Sequence, residues 1–522
     1  MRWFAGVLTA LLVSACATPG ANYPKEPSTA LAEAQRTHLG KEFDALTRQH
    51  PGVSGFRLLP QGRDALRARM ELAERAERSL DLQYFLIKND ASGKLLMDTV
   101  LAAADRGVRV RMLIDDIEDL GRNREITALS AHDNIEIRIF NPFFSRGAFE
   151  KLRDAEWLLF TRRLNSRMHN KLFVADNAAA VLGGRNIGDE YFQASPRVER
   201  ADFDVLVVGP AVPRLSQSFD VYWNSDLAIP VEALLVDKPT TEALDRYRQE
   251  LAQNRTTVLP STKQLKLDQP GPLSEALEGK QLTWARAEVF YDAPEKIKVE
   301  SGEERGHLLR DRLEDALHGV KSELRVASPY LVPGEEGMKL VEGLRTRGVR
   351  VRILTNSLET TDMTVAHSGY RHYRQRLLED GVELYEARAF PGERVAEGEH
   401  IKSKFTSEFA MHAKVFALDD NRLFLGSMNF DARSLKLNTE IGLLIDSPEL
   451  TKQVNDRFDA IAQPANCYIP VLGPPDATGK RQLVWKTEEN GKMVELTAEP
   501  SRDLLRGVQA ELLSLLPIDD LL

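Results

Sequence analysis

The stretch RMHNKLFVADNAAAVLGGRN occupies residues 167–186, and a second stretch, MHAKVFALDDNRLFLGSMN, occupies residues 411–429. Each places a histidine two residues before a lysine, an aspartate five residues after that lysine, and an asparagine ten residues after the aspartate. A single pattern of this kind could arise by chance, but two copies with identical spacing cannot be explained that way. The duplication therefore predicts that both copies take part in function.

The histidine and the lysine of each stretch are expected to share one face of a strand. MHNKLFVA and MHAKVFAL both alternate and carry few turn residues, which favours strands. Because residues i and i+2 of a strand face the same side, His169 points with Lys171 and His412 points with Lys414. Burying a lysine without a partner costs on the order of several kcal/mol, so this pairing predicts a site for an anion.

Two further residues of each copy are candidates for the same site. Asp176 and Asp419 belong to the catalytic motif by position, but they fall where a turn begins and are expected to orient the loop. A plain turn aspartate is an equally open interpretation. Asn186 and Asn429 follow glycines that permit close approach of the backbone to a ligand, and each would place an amide donor there.

A second repeat shows that the duplication extends beyond the motifs. RGVRVRMLIDD spans residues 106–116 and RGVRVRILTNS spans residues 347–357, and each is preceded by a helical, a strand and another helical pattern. Strand–helix–strand units of this kind predict an α/β fold with a mixed or parallel sheet flanked by helices. We therefore expect two pseudo-symmetric halves with one active site at their interface. Asp115 and Asn356 end the two repeated strands at equivalent positions.

The pattern divides the chain into six segments. They are a signal peptide of the lipoprotein type (1–15), a tether (16–40), the first half (41–230), a linker (231–285), the second half (286–465) and a C-terminal extension (466–522).

The N-terminus, MRWFAGVLTALLVSAC, has one positive residue, a short apolar run and small residues before Cys16. The run is too short to span a bilayer as a mature helix, and the ending resembles a bacterial lipobox. Lipidation of Cys16 after cleavage is the expectation, which predicts a membrane-anchored lipoprotein facing the periplasm, on the inner or the outer membrane. An ordinary secretory signal with an incidental cysteine and an uncleaved anchor are the alternatives.

Charge and composition narrow the function classes. The formal net charge is -9, whereas proteins dedicated to nucleic acids usually carry a basic surplus, so no nucleic-acid partner is expected. No cluster of Cys, His and Asp has the spacing of metal ligands, so neither a metal nor another cofactor is expected. The sequence says nothing about protein partners.

The duplicated His-x-Lys-x4-Asp motif with Gly-x-x-Asn resembles the signature of the phospholipase D superfamily. The strings RLNSRMHNK, GGRNIGDEYF, GVELYE and LNTEIG make the chain most similar to bacterial cardiolipin synthases of the C type. The resemblance covers residues of about 50 to 450, which is nearly all of the mature chain.

This resemblance implies roles for the motif residues. His169 would be the nucleophile that forms a covalent phosphohistidine, and His412 would be the acid and base. The two lysines and the two asparagines would bind the phosphate oxygens. A carboxylate from the opposite half would support each histidine: Glu440 behind His169 and Asp204 behind His412. Asp202 shares a face with Asp204 and is its rival.

The implied activity is phosphatidyl transfer at a membrane surface. The enzyme would form cardiolipin from phosphatidylglycerol and a second phospholipid. A phospholipase D that hydrolyses phospholipids to phosphatidic acid would use the same histidines, so this alternative stays open. A phosphodiesterase acting on nucleic acid is a third option, which the acidic balance disfavours.

Overall fold

The computed structural model describes residues 23–117, 123–143, 156, 161–235, 238–258, 269–297, 308–391, 394–396, 399–401, 408–479, 481–502 and 504–514. The predicted signal peptide and the lipidation site at Cys16 lie outside these residues. No helix in the described ranges is both long and apolar enough to cross a membrane.

The secondary structure alternates between strands and helices along both halves. The strands are β1 (Ser54–Leu59), β2 (Ser79–Tyr84), β3 (Arg109–Asp115), β4 (Ile135–Phe140), β5 (Leu172–Ala175), β6 (Ala179–Gly183), β7 (Val198–Ala201), β8 (Asp204–Val208), β9 (Ala228–Pro230), β10 (Thr283–Tyr291), β11 (Glu323–Ala327), β12 (Leu331–Val332), β13 (Arg350–Asn356), β14 (Glu383–Ala387), β15 (Arg394–Ala396), β16 (Glu399–Ile401), β17 (Glu408–Met411), β18 (Val415–Leu418), β19 (Arg422–Gly426), β20 (Phe430–Asp431), β21 (Ile441–Asp446), β22 (Cys467–Pro475), β23 (Arg481–Glu489) and β24 (Lys492–Leu496). The α-helices are α1 (His38–Thr47), α2 (Gly62–Arg75), α3 (Ala91–Asp105), α4 (Asn123–Leu129), α5 (Thr161–Asn165), α6 (Ala211–Trp223), α7 (Thr241–Val258), α8 (Pro272–Leu277), α9 (Leu309–His318), α10 (Gly334–Thr346), α11 (Thr364–Glu379), α12 (Ala432–Lys436), α13 (Pro448–Ile461) and α14 (Leu504–Leu513).

The two halves have the same strand order. In the first half the strands pair as β9-β4-β3-β2-β5-β6-β8-β1, with β2, β3 and β4 parallel and the other pairs antiparallel. In the second half the order is β22-β14-β13-β11-β18-β19-β21-β10, again with three parallel strands. This mixed α/β architecture confirms the predicted fold class.

The central strands β1 and β10 join the halves. They pair antiparallel, with Gly55 opposite Trp284, so the two sheets form one continuous sheet of 18 strands together with β23 and β24. Each half has a hydrophobic core on its outer side. In the first half helices α2 and α3 pack on the sheet, and in the second half helices α9 to α11 do so. A third core contains residues of both halves, including Phe56 from β1 and Leu443 from β21, so the halves share part of their hydrophobic interior.

The described part of the predicted tether, from residue 23, contacts the first half. Lys25 donates to the carbonyl oxygens of Ser225 and Ala228, and Arg138 donates to the carbonyl oxygen of Glu26. The segment satisfies buried cations and backbone groups of the first half, so it lies against that half before α1 begins.

The segments predicted as linker and extension contribute to the two halves. Leu244 and Leu251 of α7 are buried in the core of the first half, and β10 begins at Thr283, inside the predicted linker. In the extension, Cys467 of β22 pairs with Ala387 of β14, the position that β9 occupies in the first half. Both segments therefore complete the two folds.

Candidate active site

The two motifs meet at the interface of the halves, where the backbone of each motif forms a hydrogen bond with the backbone of the opposite half. The backbone N–H of His169 donates to the carbonyl oxygen of Thr439 at 2.9 Å, and that of His412 donates to Ala201 at 2.7 Å. The parallel pairing of β7 with β17 leads into the second of these bonds. Strands β5 and β18 begin only after the lysines, because the preceding backbone pairs with the opposite half.

His169 is held by a carboxylate that is itself tightly bound. Its Nδ1 lies 2.9 Å from Oε2 of Glu440, and the hydroxyls of Ser427 and Ser434 both donate to that carboxylate. Burial opposes ionisation of Glu440, but the neighbouring His169 and Lys171 hold the pKa of its carboxyl below its usual value. An ionised Glu440 fixes the imidazole proton on Nδ1, which leaves the lone pair of Nε2 available.

His412 has the equivalent partner in the other half. Its Nδ1 lies 2.7 Å from Oδ2 of Asp202 and 3.0 Å from Nζ of Lys414. Burial lowers the pKa of His412 well below its usual value, and the charges of Lys414 and Arg200 lower it further. Burial raises the pKa of Asp202, against the opposing effect of Lys414.

The expectation that Asp204 supports His412 is wrong. Asp204 is fully buried and its Oδ2 lies 2.9 Å from a guanidinium nitrogen of Arg69, with Arg185 at 3.7 Å. Asp204 opens β8 and faces α2, where Arg69 lies, whereas Asp202 lies in the connection between β7 and β8 that crosses to the opposite half. The alternation of a strand gives both aspartates the same parity, so it could not distinguish them.

The two lysines bring positive charge into an almost dry site. Lys171 and Lys414 are 0% and 1% exposed, and each ammonium donates to the carbonyl oxygen of the histidine two residues before it. Burial lowers the pKa of Lys171 well below its usual value and that of Lys414 to about 8.

The two motifs influence each other electrostatically. The pKa of His169 is lowered to about 4, first by burial, against the opposing effect of Glu440, and then by the charges of Lys171 and of Lys414. Lys414 belongs to the second motif, so the motifs share one site. Two cations with little solvent around them favour an anion between the histidines.

The asparagines have hydrogen-bonding capacity to spare. Nδ2 of Asn186 donates to the hydroxyl of Tyr191 at 3.1 Å, and the backbone N–H of Asn429 donates to the hydroxyl of Ser434. Oδ1 of each asparagine is buried and has no hydrogen-bond partner among the described residues. Both amides can therefore contact a ligand.

The carboxylates of the motif aspartates bind backbone N–H groups of neighbouring loops. The carboxylate of Asp176 accepts the backbone N–H groups of residues 77–79, and that of Asp419 accepts those of residues 321–323. Both aspartates have φ of 52°, in the left-handed region that Asp tolerates in turns. They fix the loops before β2 and β11, which is the orienting role expected from their position.

Asp115 and Asn356 position the backbone directly before the histidine of each motif. The carboxylate of Asp115 accepts the N–H of Met168 at 2.8 Å, and Oδ1 of Asn356 accepts the N–H of Met411 at 2.9 Å. Their equivalent places in the repeated strands were visible in the sequence, but no local pattern indicates which backbone groups they bind. The serines that hold Glu440 had no sequence signal.

Within the described residues, no group of three His, Cys, Asp or Glu side chains could hold a metal ion.

The comparisons with known proteins agree with this geometry. A family model described as "Cardiolipin synthase, PLD-like domain" matches residues 70–223 and 313–462, one block in each half. The chain belongs to this family. The prediction of a phospholipase D-superfamily protein similar to cardiolipin synthases is confirmed, and the chain is a phospholipid transferase of that superfamily.

Individual relatives extend the match over nearly the whole chain. Cardiolipin synthase C of Escherichia coli (strain K12) is 36% identical over 480 residues, covering 91% of this chain and 98% of the relative. An uncharacterized protein of Helicobacter pylori (strain ATCC 700392 / 26695) is 31% identical over 486 residues, covering 92% of both.

A solved structure shares the fold. The crystal structure of phosphatidylserine synthase from Haemophilus influenzae Rd KW20 matches with a TM-score of 0.54 at 14% identity, covering 82% of this chain and 92% of that one.

Proposed function

We propose that this enzyme forms cardiolipin from phosphatidylglycerol and a second phospholipid, through a covalent phosphohistidine on His169. The observation that carries the proposal is the crossed arrangement of the site, in which each buried histidine contacts a carboxylate of the opposite half. The almost complete coverage of a relative named cardiolipin synthase C supports the choice of product.

In the first step Nε2 of His169 attacks the phosphorus of the donor lipid. The bond between phosphorus and the headgroup oxygen breaks, and the proton on Nε2 of His412 moves to that oxygen. Glu440 stabilises the positive charge that develops on the His169 ring. Lys171 and Lys414 would bind the two non-bridging oxygens and offset their charge.

In the second step a primary hydroxyl of phosphatidylglycerol attacks the phosphorus. Its proton moves to the now neutral His412, and the bond between phosphorus and His169 breaks. The product is a diphosphatidyl glycerol, and both histidines return to their starting protonation states. Asp202 keeps the ring of His412 oriented through both transfers, because it contacts Nδ1 while Nε2 exchanges the proton.

The phosphate also accounts for the protonation of His412 in the complex. In the empty site burial and two cations hold its pKa low. A bound phosphodiester anion would offset the repulsion from these cations, so proton uptake by His412 accompanies binding of the lipid.

Hydrolysis to phosphatidic acid is the second candidate function, because water can replace the lipid hydroxyl in the second step without any change to the site. Purified protein incubated with vesicles of phosphatidylglycerol and phosphatidylethanolamine, with mass spectrometry of the lipids, separates the two. Cardiolipin supports the proposal, and phosphatidic acid without cardiolipin contradicts it.

Substitutions at the histidines test the covalent step. His169→Ala and His412→Ala are each expected to abolish turnover of phospholipids. A protein mass increased by one phosphatidyl group should accumulate when His412→Ala is mixed with phosphatidyl-p-nitrophenol, a donor whose leaving group needs no proton. His132→Ala is the matched control, since His132 contacts Asp105 on the surface, away from the site. Full turnover by His169→Ala would refute the mechanism.

We also propose that Cys16 carries the lipid anchor and that the enzyme faces the periplasm, on the inner or outer membrane. The lipobox-like residues before Cys16 support this. In cells supplied with a labelled fatty acid, wild-type protein should carry the label and sediment with membranes. Cys16→Ser should lose the label and Cys467→Ser should retain it, whereas labelled Cys16→Ser would contradict the proposal.

A further inference from the structure

The pseudo-symmetry of the site is broken at three places, where the His412 side has a guanidinium or a phenol in place of a smaller or aliphatic side chain. Two residues before the supporting carboxylate the first half has Arg200, where the second half has Asn438. Five residues after the motif asparagine the first half has Tyr191, where the second has Ser434. These first-half residues lie by His412, because the halves support each other's histidines.

The third difference lies just after β2, whose counterpart in the second half is β11. The register of β2 with β3 and of β11 with β13 makes Leu86 the counterpart of Tyr330. Leu86 is a buried hydrophobic residue, whereas Tyr330 carries a hydroxyl that donates to Asp362 at 2.8 Å. The side of His169 thus has an aliphatic group where the side of His412 has a hydrogen bond to a carboxylate.

The polar residues form a connected group that ends on the imidazole of His412. Nη1 of Arg200 donates to the other oxygen of Asp362 at 2.6 Å, and its guanidinium lies 5.6 Å from the ring centre of Tyr191. The ring of Tyr191 in turn meets that of His412 edge-on, with centroids 5.2 Å apart and an angle of 75°. We call Tyr191, Arg200, Tyr330 and Asp362 the acceptor cluster.

The carboxylate of Asp362 is charged and accessible. Burial opposes its ionisation, but Arg200 and Tyr330 hold its pKa below the usual value. Its side chain is 37% exposed, whereas that of Arg200 is 18% exposed. A carboxylate has about four acceptor positions, of which these two partners use two. Asp362 can therefore accept further hydrogen bonds from a ligand beside His412.

We propose that the acceptor cluster binds the glycerol headgroup of the alcohol that reacts at His412, with Asp362 accepting its free hydroxyls. The inference rests on the proposed function, in which His412 exchanges its proton with the oxygen of an alcohol. That oxygen and the rest of the headgroup must lie on the His412 side of the phosphorus, opposite His169. A polyol offers a second hydroxyl to Asp362, whereas a monohydric alcohol does not.

The experiment measures the choice between two alcohols. Full-length protein is incubated with phosphatidylethanolamine vesicles and equal concentrations of deuterated glycerol and 1-propanol, and mass spectrometry gives the ratio of labelled phosphatidylglycerol to phosphatidylpropanol. A hydrogen bond to a charged group corresponds to about tenfold or more in such a ratio. Asp362→Asn should therefore lower the glycerol preference about tenfold, and Tyr330→Phe should lower it less, because it leaves the carboxylate in place.

Control reactions separate the possible failures. Asp105→Asn removes a surface aspartate that also pairs with an arginine, Arg248, and should keep the wild-type ratio. Circular dichroism identifies a variant that fails to fold, in which case Tyr330→Phe carries the test. Cardiolipin synthesis by the wild type with an unchanged glycerol preference in both variants overturns the subsite alone. Absence of every alcohol product from the wild type overturns the subsite and the proposed function together.

Discussion

Replacing Asp202 or Asp204 by asparagine should have opposite consequences, although the two residues are neighbours of the same type. Asp204 and Arg69 are both 0% exposed and lie 2.9 Å apart. Removing one partner of a buried ion pair typically costs about 3–5 kcal/mol, because the other charge is left buried and uncompensated. Asp204→Asn should therefore lower the free energy of unfolding by roughly that amount, which is a large part of the stability of a protein.

Asp202→Asn should instead affect catalysis. Asp202 contacts Nδ1 of His412 at 2.7 Å, and burial raises the pKa of its carboxyl, so its charge already lies in an unfavourable environment. Its buried partner Lys414 has a pKa of about 8 and can lose its proton, unlike Arg69, so Asp202→Asn should lower the free energy of unfolding less than Asp204→Asn does. An orienting aspartate behind a catalytic histidine contributes about 10⁴ in kcat in serine hydrolases, where the amide stabilises the wrong tautomer. We expect a loss of about a thousandfold or more in kcat for Asp202→Asn.

Two measurements on each variant decide the matter. Guanidinium denaturation monitored by circular dichroism gives the midpoint, and release of headgroup from a short-chain phosphodiester in buffer well below the midpoint gives kcat. The reasoning is refuted if Asp204→Asn is inactive at unchanged midpoint, or if Asp202→Asn keeps its activity. The double variant should show both defects, since the two aspartates act on different partners.

Three further predictions concern charge and loops. The folded pKa of His169 is about 4 against an ordinary 6.5, so keeping the ring neutral contributes about 3 kcal/mol to the free energy of unfolding, fully present above pH 6.5 and lost as the pH falls towards 4. Denaturation midpoints should therefore fall as the pH is lowered across that range, and they should fall less steeply for His169→Gln. Equal slopes for the two proteins would contradict this. Lys414 has a pKa of about 8 and should lose its charge above that pH, so kcat/KM of the wild type should decline there. Lys414→Arg keeps its charge, so the kcat/KM that remains in this variant should stay constant to higher pH. Asp176→Asn and Asp419→Asn should each lower the free energy of unfolding by about 1–3 kcal/mol, because they weaken the hydrogen bonds to the backbone groups that these aspartates bind. Under folding conditions kcat should change less than tenfold. A loss of kcat as large as that of Asp202→Asn would show that these aspartates take part in catalysis.

Much of the fold could be predicted because the sequence states it twice. The repeated RGVRVR strands and the two motifs have nearly the same separation, which predicts two halves with one strand order. Local periodicity predicted that each lysine lies beside the histidine two positions before it, although the strands begin only after the lysines. These features depend on residues that are close in the sequence.

The remainder depends on contacts between distant residues. Nothing near Asp204 in the sequence shows that Arg69, 135 positions earlier (204 − 69), neutralises it. The crossing of backbone at Thr439 and Ala201 likewise cannot be read from either half by itself. The segment after residue 22 has the composition of a tether, yet its carbonyl groups accept hydrogen bonds from Arg111 and Arg138, two buried arginines of the first half.

The antiparallel pairing of β1 with β10 places the two copies in a single polypeptide on either side of a pseudo-twofold axis. A homodimer built from one copy would present every substitution twice, so its two histidines would always have identical neighbours. Gene fusion removes that constraint, since each copy can then diverge independently. Tyr191 meets the ring of His412 edge-on, whereas Ser434, at the equivalent position, donates to the carboxylate that contacts His169. A single chain with two diverged copies can encode this difference, and a dimer of identical copies cannot.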